Sequence, residues 1–152
     1  MIQSYIESPV ALTSNTSPIV FTNDDIRTRG ASCQCWLQHA EGSPIYKILE
    51  GGLYEVTFNA NVTSETAGPV ALSLLMDGLP VPGATVIETV VTPGDYSNVA
   101  FTKKIKICCR GDASLTVASI PSVLTGVPVP GTATDTVVPI IQSANVSITR
   151  KA

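Results

Sequence analysis

The sequence predicts an all-β fold, a sandwich of two antiparallel sheets with little or no helix, and three observations carry that expectation. Val, Ile and Thr together occupy 47 of the 152 positions, and their branched Cβ suits a pleated strand better than a helix. Eleven glycines and eleven prolines cut the chain into short runs. Within those runs apolar residues recur at every second position, and no stretch sustains a 3.6-residue period. A chain of 152 residues suits one domain spanning 1–152, with roughly the first 50 residues supplying the first short strands.

In chain order, the first candidates are brief: Val10 to Thr13, Pro18 to Thr22, Ser32 to Gln38 and Ile45 to Leu49. The strongest strand follows Gly51-Gly52. From Leu53 to Thr63, Tyr54, Val56, Phe58, Ala60 and Val62 fall on one face, and Glu55, Thr57, Asn59 and Asn61 on the other. Turn chemistry from Ser64 to Pro69 leads into a run with Val70, Leu72, Leu74 and Met76 on one face, ended by Asp77-Gly78. These two runs read as an antiparallel pair. Further alternating runs cover Ala84 to Thr92, Val99 to Cys108, Ala113 to Ile120 and Asn145 to Arg150. Strands at this spacing indicate a sandwich or barrel.

One segment repeats. Gly78-Leu-Pro-Val-Pro-Gly is echoed by Gly126-Val-Pro-Val-Pro-Gly, each feeding a β-branched run. Pro80, Pro82, Pro128 and Pro130 donate nothing to a sheet ladder, so they are expected in exposed loops or at sheet edges.

Charged residues make up only 14% of the chain, with a net charge of −3, against roughly 25% charged residues in an ordinary soluble domain. Such a surface favours an assembled or extracellular protein over a free cytosolic enzyme. The largest basic cluster is Lys103, Lys104 and Lys106, too small for a nucleic-acid partner. No apolar run approaches the ~18 residues of a membrane span, so no membrane partner is expected. The N-terminus lacks the basic and apolar regions of a signal peptide, which implies synthesis in the cytoplasm and leaves the sequons at Asn15, Asn61 and Asn145 inert.

The four cysteines form two groups, Cys33 with Cys35 and the adjacent Cys108 and Cys109. On strands, Cys33 and Cys35 share a face while Cys108 and Cys109 oppose each other, so at most three thiols could meet and a four-thiolate zinc site is awkward. Buried reduced thiols are expected, with one cross-strand disulfide as the alternative.

Catalytic chemistry is sparse. His39 is the single histidine; followed by Ala40-Glu41-Gly42-Ser43, it is expected in a solvated turn rather than in a catalytic pair. Asp24-Asp25 reads as a helix or turn cap. Arg110-Gly111-Asp112 lies between two predicted strands and is expected as an exposed turn. No phosphate-binding, nucleophile-elbow or calcium-loop motif is present, so no enzyme activity, cofactor or metal is expected.

Four ordered segments resemble the C1q/TNF-like trimeric jelly rolls of tailed-phage virion proteins and Firmicute surface proteins. They are Gly52-Leu-Tyr-Glu-Val-Thr-Phe58; Val70 to Gly78 with Val81-Pro-Gly83; Ile105-Lys-Ile107 followed by Gly111-Asp112 to Val117; and Ala144 to Arg150. Ser119 departs from the family, which commonly has Asn there. The resemblance implies a non-enzymatic homotrimer on a virion surface, a capsid decoration or head-fibre module whose partners are its own copies and the major capsid protein or another virion protein. It also implies that Glu55, Thr57 and Asn59 face the threefold axis. The alternative implied is a receptor- or carbohydrate-binding module at a fibre tip or on a bacterial or spore surface, meeting a host-surface glycan through its Pro-Gly loops.

Overall fold

The architecture follows from where the alternating runs bury their apolar faces. In the structure, a computed structural model, residues 1–27, 36–108, 112–122 and 135–151 are described. Their elements are strands: β1 (Ile2–Ile6), β2 (Val10–Ala11), β3 (Asn23–Arg27), β4 (Leu37–Gln38), β5 (Tyr46–Ile48), β6 (Gly52–Ser64), β7 (Gly68–Met76), β8 (Leu79–Val90), β9 (Ser97–Ile107), β10 (Ala113–Ser119) and β11 (Pro139–Arg150). One sheet has the order β3-β1-β11-β6-β9, with β2 also on β11, and the other the order β4-β5-β10-β7-β8. Every pairing is antiparallel. From β5 to β11 the chain changes sheet at every connection except the β7–β8 hairpin, which is the jelly-roll path. The all-β sandwich expectation is met.

The long β6 behaves as its pattern requires. Tyr54, Val56, Phe58, Ala60 and Val62 are buried, and Glu55, Thr57, Asn59 and Asn61 are only partly covered. The core between the sheets joins these to Leu72 and Leu74 of β7, Leu115 and Val117 of β10, and Val146 and Ile148 of β11. Phe58 meets Phe101 of β9 at a centroid distance of 5.2 Å. With few aromatics available, close packing of branched aliphatic side chains fills the rest.

One pairing differs from expectation. β6 and β7 are not hydrogen-bonded neighbours; they lie in opposite sheets. The turn after Ser64 carries the chain across the sandwich, and both Thr63 and Ser64 are buried where it does so. Gly68 begins β7 with φ +153°, and a Cβ there would stand 2.6 Å from Val137 Cγ1, so glycine is what lets Val137 close over the crossing. The true partner of β7 is β8, joined through Asp77 and Gly78 at φ 52° and 82°, the left-handed pair of a type I′ hairpin.

The short candidates shrink or shift. Val10 to Thr13 reduces to β2 and Ile45 to Leu49 to β5, while Pro18 to Thr22 makes only an isolated bridge from Pro18 to Ala118. Of Ser32 to Gln38, residues 36–38 are described, and β4 takes the last two of them. Pro80 and Pro82 lie within β8 rather than in loops, Pro80 half-buried and Pro82 exposed; β8 is the edge of its sheet, where a missing N–H costs no ladder bond. Pro128 and Pro130, with most of the second repeat, lie outside the described residues.

The edges at β8 and β9 are guarded. The inward row of β9 reads Val99, Phe101, Lys103, Ile105, Ile107, so a lysine occupies an apolar position on an edge strand. Its Nζ rests where a Cβ on Gly83 of β8 would come within 3.2 Å. An inward charge beside the prolines of β8 blocks edge-to-edge pairing.

Candidate functional site

The outer face of the first sheet is built from side chains pointing away from the core. Antiparallel register sets them in rows: Gln3, Ser147, Thr57 and Thr102 form one, and Tyr5, Asn145, Asn59 and Ala100 the next. A third row is Ser143, Asn61 and Asn98, and a fourth Thr149, Glu55 and Lys104. All but the last are uncharged and mostly small.

This face is internally ordered. Asn98 Nδ2 donates to Asn59 Oδ1 at 3.1 Å and Asn61 Oδ1 at 3.0 Å, and Asn61 Nδ2 donates to Ser143 Oγ at 3.2 Å. Thr57 and Thr102 hydroxyls lie 3.3 Å apart. Amides fixed by one another lose less side-chain entropy when a partner covers them. At the charged end Lys151 Nζ sits 2.8 Å from Glu55 Oε1. The hydrogen bond from Lys151, with the charges of Lys151 and Lys104, holds the Glu55 carboxyl below its usual range. Thus Glu55, Thr57 and Asn59 do share one partly covered outer face.

A second polar cluster is hidden, and here the structure corrects the sequence reading. His39 is not solvated: its side chain is fully buried, as is that of Asp24. His39 Nδ1 lies 2.8 Å from Asp24 Oδ1 and 3.0 Å from Oδ2, and Nε2 lies 2.9 Å from the Ser43 carbonyl. Both ring nitrogens face acceptors, so both bonds form together when each nitrogen carries a proton. Ser4 Oγ donates to Asp24 Oδ1. The imidazole stacks on Tyr46 at 4.0 Å with planes 10° apart. Asp24 is therefore not a cap but the strand residue that ties β3 and β1 of one sheet to the β4–β5 side of the other. The serine bonds the carboxylate rather than the imidazole, and Nε2 is spent on a backbone carbonyl, so the cluster is a clasp and not a nucleophilic triad.

Tyr46 completes the clasp at a cost. Its hydroxyl is buried and makes no hydrogen bond. Burial pushes its pKa well above the ordinary value, and the Asp24 charge adds to the rise.

The remaining expected site residues are scattered. Asp112 is exposed in the loop after β9 with φ 57°; Arg110 lies outside the described residues. Cys108 is a free, exposed thiol rather than a buried one, because β9 ends just before it; Cys33, Cys35 and Cys109 lie outside the described residues. Among the described residues no three His, Cys, Asp or Glu side chains gather as a metal-binding group. Nor is any described helix long and apolar enough to cross a membrane.

The folded chain is similar to the solved globular domain of zebrafish complement 1qA protein, with a TM-score of 0.56 and 10% identity over 99% of this chain and 98% of that one. This likeness establishes the fold, a C1q-type jelly roll. No protein-family model matches the sequence, and no curated protein matches it.

Proposed function

We propose that this chain is a non-enzymatic structural module displayed on a virion surface. It assembles as a homotrimer through the outer face of its first sheet and docks on the major capsid protein or another virion protein. The observation that carries the reading is that face: three of its four rows are uncharged, and its side chains are fixed by their own hydrogen bonds around Thr57 and Asn59. A surface of that kind is cheap to dehydrate, whereas a charged one is not. The C1q-type fold and the low charge support the same reading, and so does the sole histidine, whose two nitrogens are committed to the clasp.

Light scattering after size exclusion, at low micromolar protein with reductant, tests the assembly. A mass of three times 15.9 kDa is expected, and a single-chain mass overturns it. Co-sedimentation then tests the docking: binding to emptied capsids is expected, and binding to host cells alone refutes it. That last outcome would favour a receptor- or glycan-binding module. A surface to probe for it is the β8–β9 loop, where Pro93, Asp95 and Tyr96 are all exposed.

A further inference from the structure

The first sheet carries opposite charge at its two margins. β9, the strand at one margin, holds Lys103, Lys104 and Lys106 and no acidic residue. Lys103 points inward to Gly83, whereas Lys104 and Lys106 are exposed; Lys104 stands opposite Glu55 in register and helps hold that carboxyl down, but the ion pair of Glu55 is made with Lys151. At the opposite margin, Glu7 follows β1 and Asp25 sits at the register shift where β3 pairs with β1, both exposed. Asp24 is consumed by His39, and Arg27 is the one cation of β3. Between the margins lie the neutral rows around Thr57 and Asn59.

We infer that copies of this chain meet head to tail, with Lys104 and Lys106 of one copy against Glu7 and Asp25 of the next. This rests on the self-assembly proposed above and adds what selects its geometry. Two copies joined edge to edge by a twofold axis at β9 would set lysine against lysine, and at the β1–β3 margin carboxylate against carboxylate. A head-to-tail contact joins unlike margins at every interface, and such a contact closes into a ring when the rotation permits. Complementary rims of this kind fix register and reject wrong partners while the neutral centre is dehydrated.

Three variants test the inference by solution mass near 0.1 M salt, where a screening length of about 10 Å leaves close charge pairs effective. Lys104→Glu with Lys106→Glu makes both margins acidic, and Glu7→Lys with Asp25→Lys makes both basic. Each pair is expected to reduce a three-chain mass to one chain, while circular dichroism shows the strand signal of the parent. All four changes together invert both margins and are expected to restore the three-chain mass. If the parent is a trimer and the paired reversals leave its mass unchanged, the head-to-tail pairing is wrong while the assembly stands. Dissociation by each pair without rescue by the fourfold variant also overturns the pairing, as does a parent mass of two chains. A single-chain parent overturns both this inference and the assembly on which it rests.

Discussion

Replacing His39 with alanine tests whether the buried clasp holds the sandwich closed. The change removes the ring that binds both oxygens of a fully buried Asp24, and with it the Ser43 hydrogen bond and the stack on Tyr46. Deleting one partner of a buried pair costs about 3–5 kcal/mol, because the other charge stays in the interior. Here Ser4 still donates to Asp24, which places the loss near the lower end, about 3 kcal/mol. That is a large share of the roughly 5–15 kcal/mol that holds a domain folded. For a chain of this size it corresponds to a melting temperature about 6–12 °C lower. Urea unfolding at fixed protein concentration, followed by the emission of Trp36, gives the number; the indole is half-buried and tilted on Tyr54 at a centroid distance of 5.3 Å. A double-mutant cycle with Asp24→Asn should show a coupling of at least about 1 kcal/mol, since the two side chains share one interaction. A His39→Ala loss under about 1 kcal/mol at an unchanged m-value, or strict additivity with Asp24→Asn, would refute the clasp.

Two further outcomes follow from single side chains. The Tyr46 phenol is favoured neutral in the fold, so its contribution is complete below the unfolded-state value of 10.0 and is lost as pH rises above it. Tyr46→Phe should therefore unfold less readily in alkali than the parent, while Tyr54, raised mainly by burial, keeps part of the effect. It should also be level with the parent or up to about 1 kcal/mol more stable at neutral pH, because an unpaired buried hydroxyl is removed; equal alkaline unfolding of the two proteins would contradict this. Lys103→Val should keep or raise thermal stability yet scatter light at concentrations where the parent is clear, because the inward charge that guards β9 is gone. A variant as soluble as the parent would show that the lysine does not guard the edge.

The sequence contained the local rules. Alternation from Leu53 to Thr63 determined which side chains of β6 enter the core, and that alone placed Glu55, Thr57 and Asn59 together on one outer face. Asp77-Gly78 determined where β7 ends, because consecutive positive φ angles suit Asp and Gly; that the turn closes a hairpin with β8 came from the fold. Pro80 and Pro82 restricted their segment to a loop or an edge, because they cannot donate, and the fold made it an edge.

What the sequence obscured was every feature that depends on a partner distant in the chain. β1 has an alternating pattern interrupted at its centre by Ser4, a polar residue that is buried only because Asp24 accepts its proton. β3 reads as turn chemistry, since nothing local says that Asp24 will face a histidine 15 residues on. The Ile2 and Ile6 spacing was the one available signal. The assignment of β6 and β7 to opposite sheets is of the same kind. A period of two residues says which way a side chain points, and it says nothing about which strand lies alongside. Only the tertiary structure decides that, because the choice between pairing a neighbouring run and crossing the sandwich turns on how much apolar surface each leaves in water, a sum taken over the whole chain.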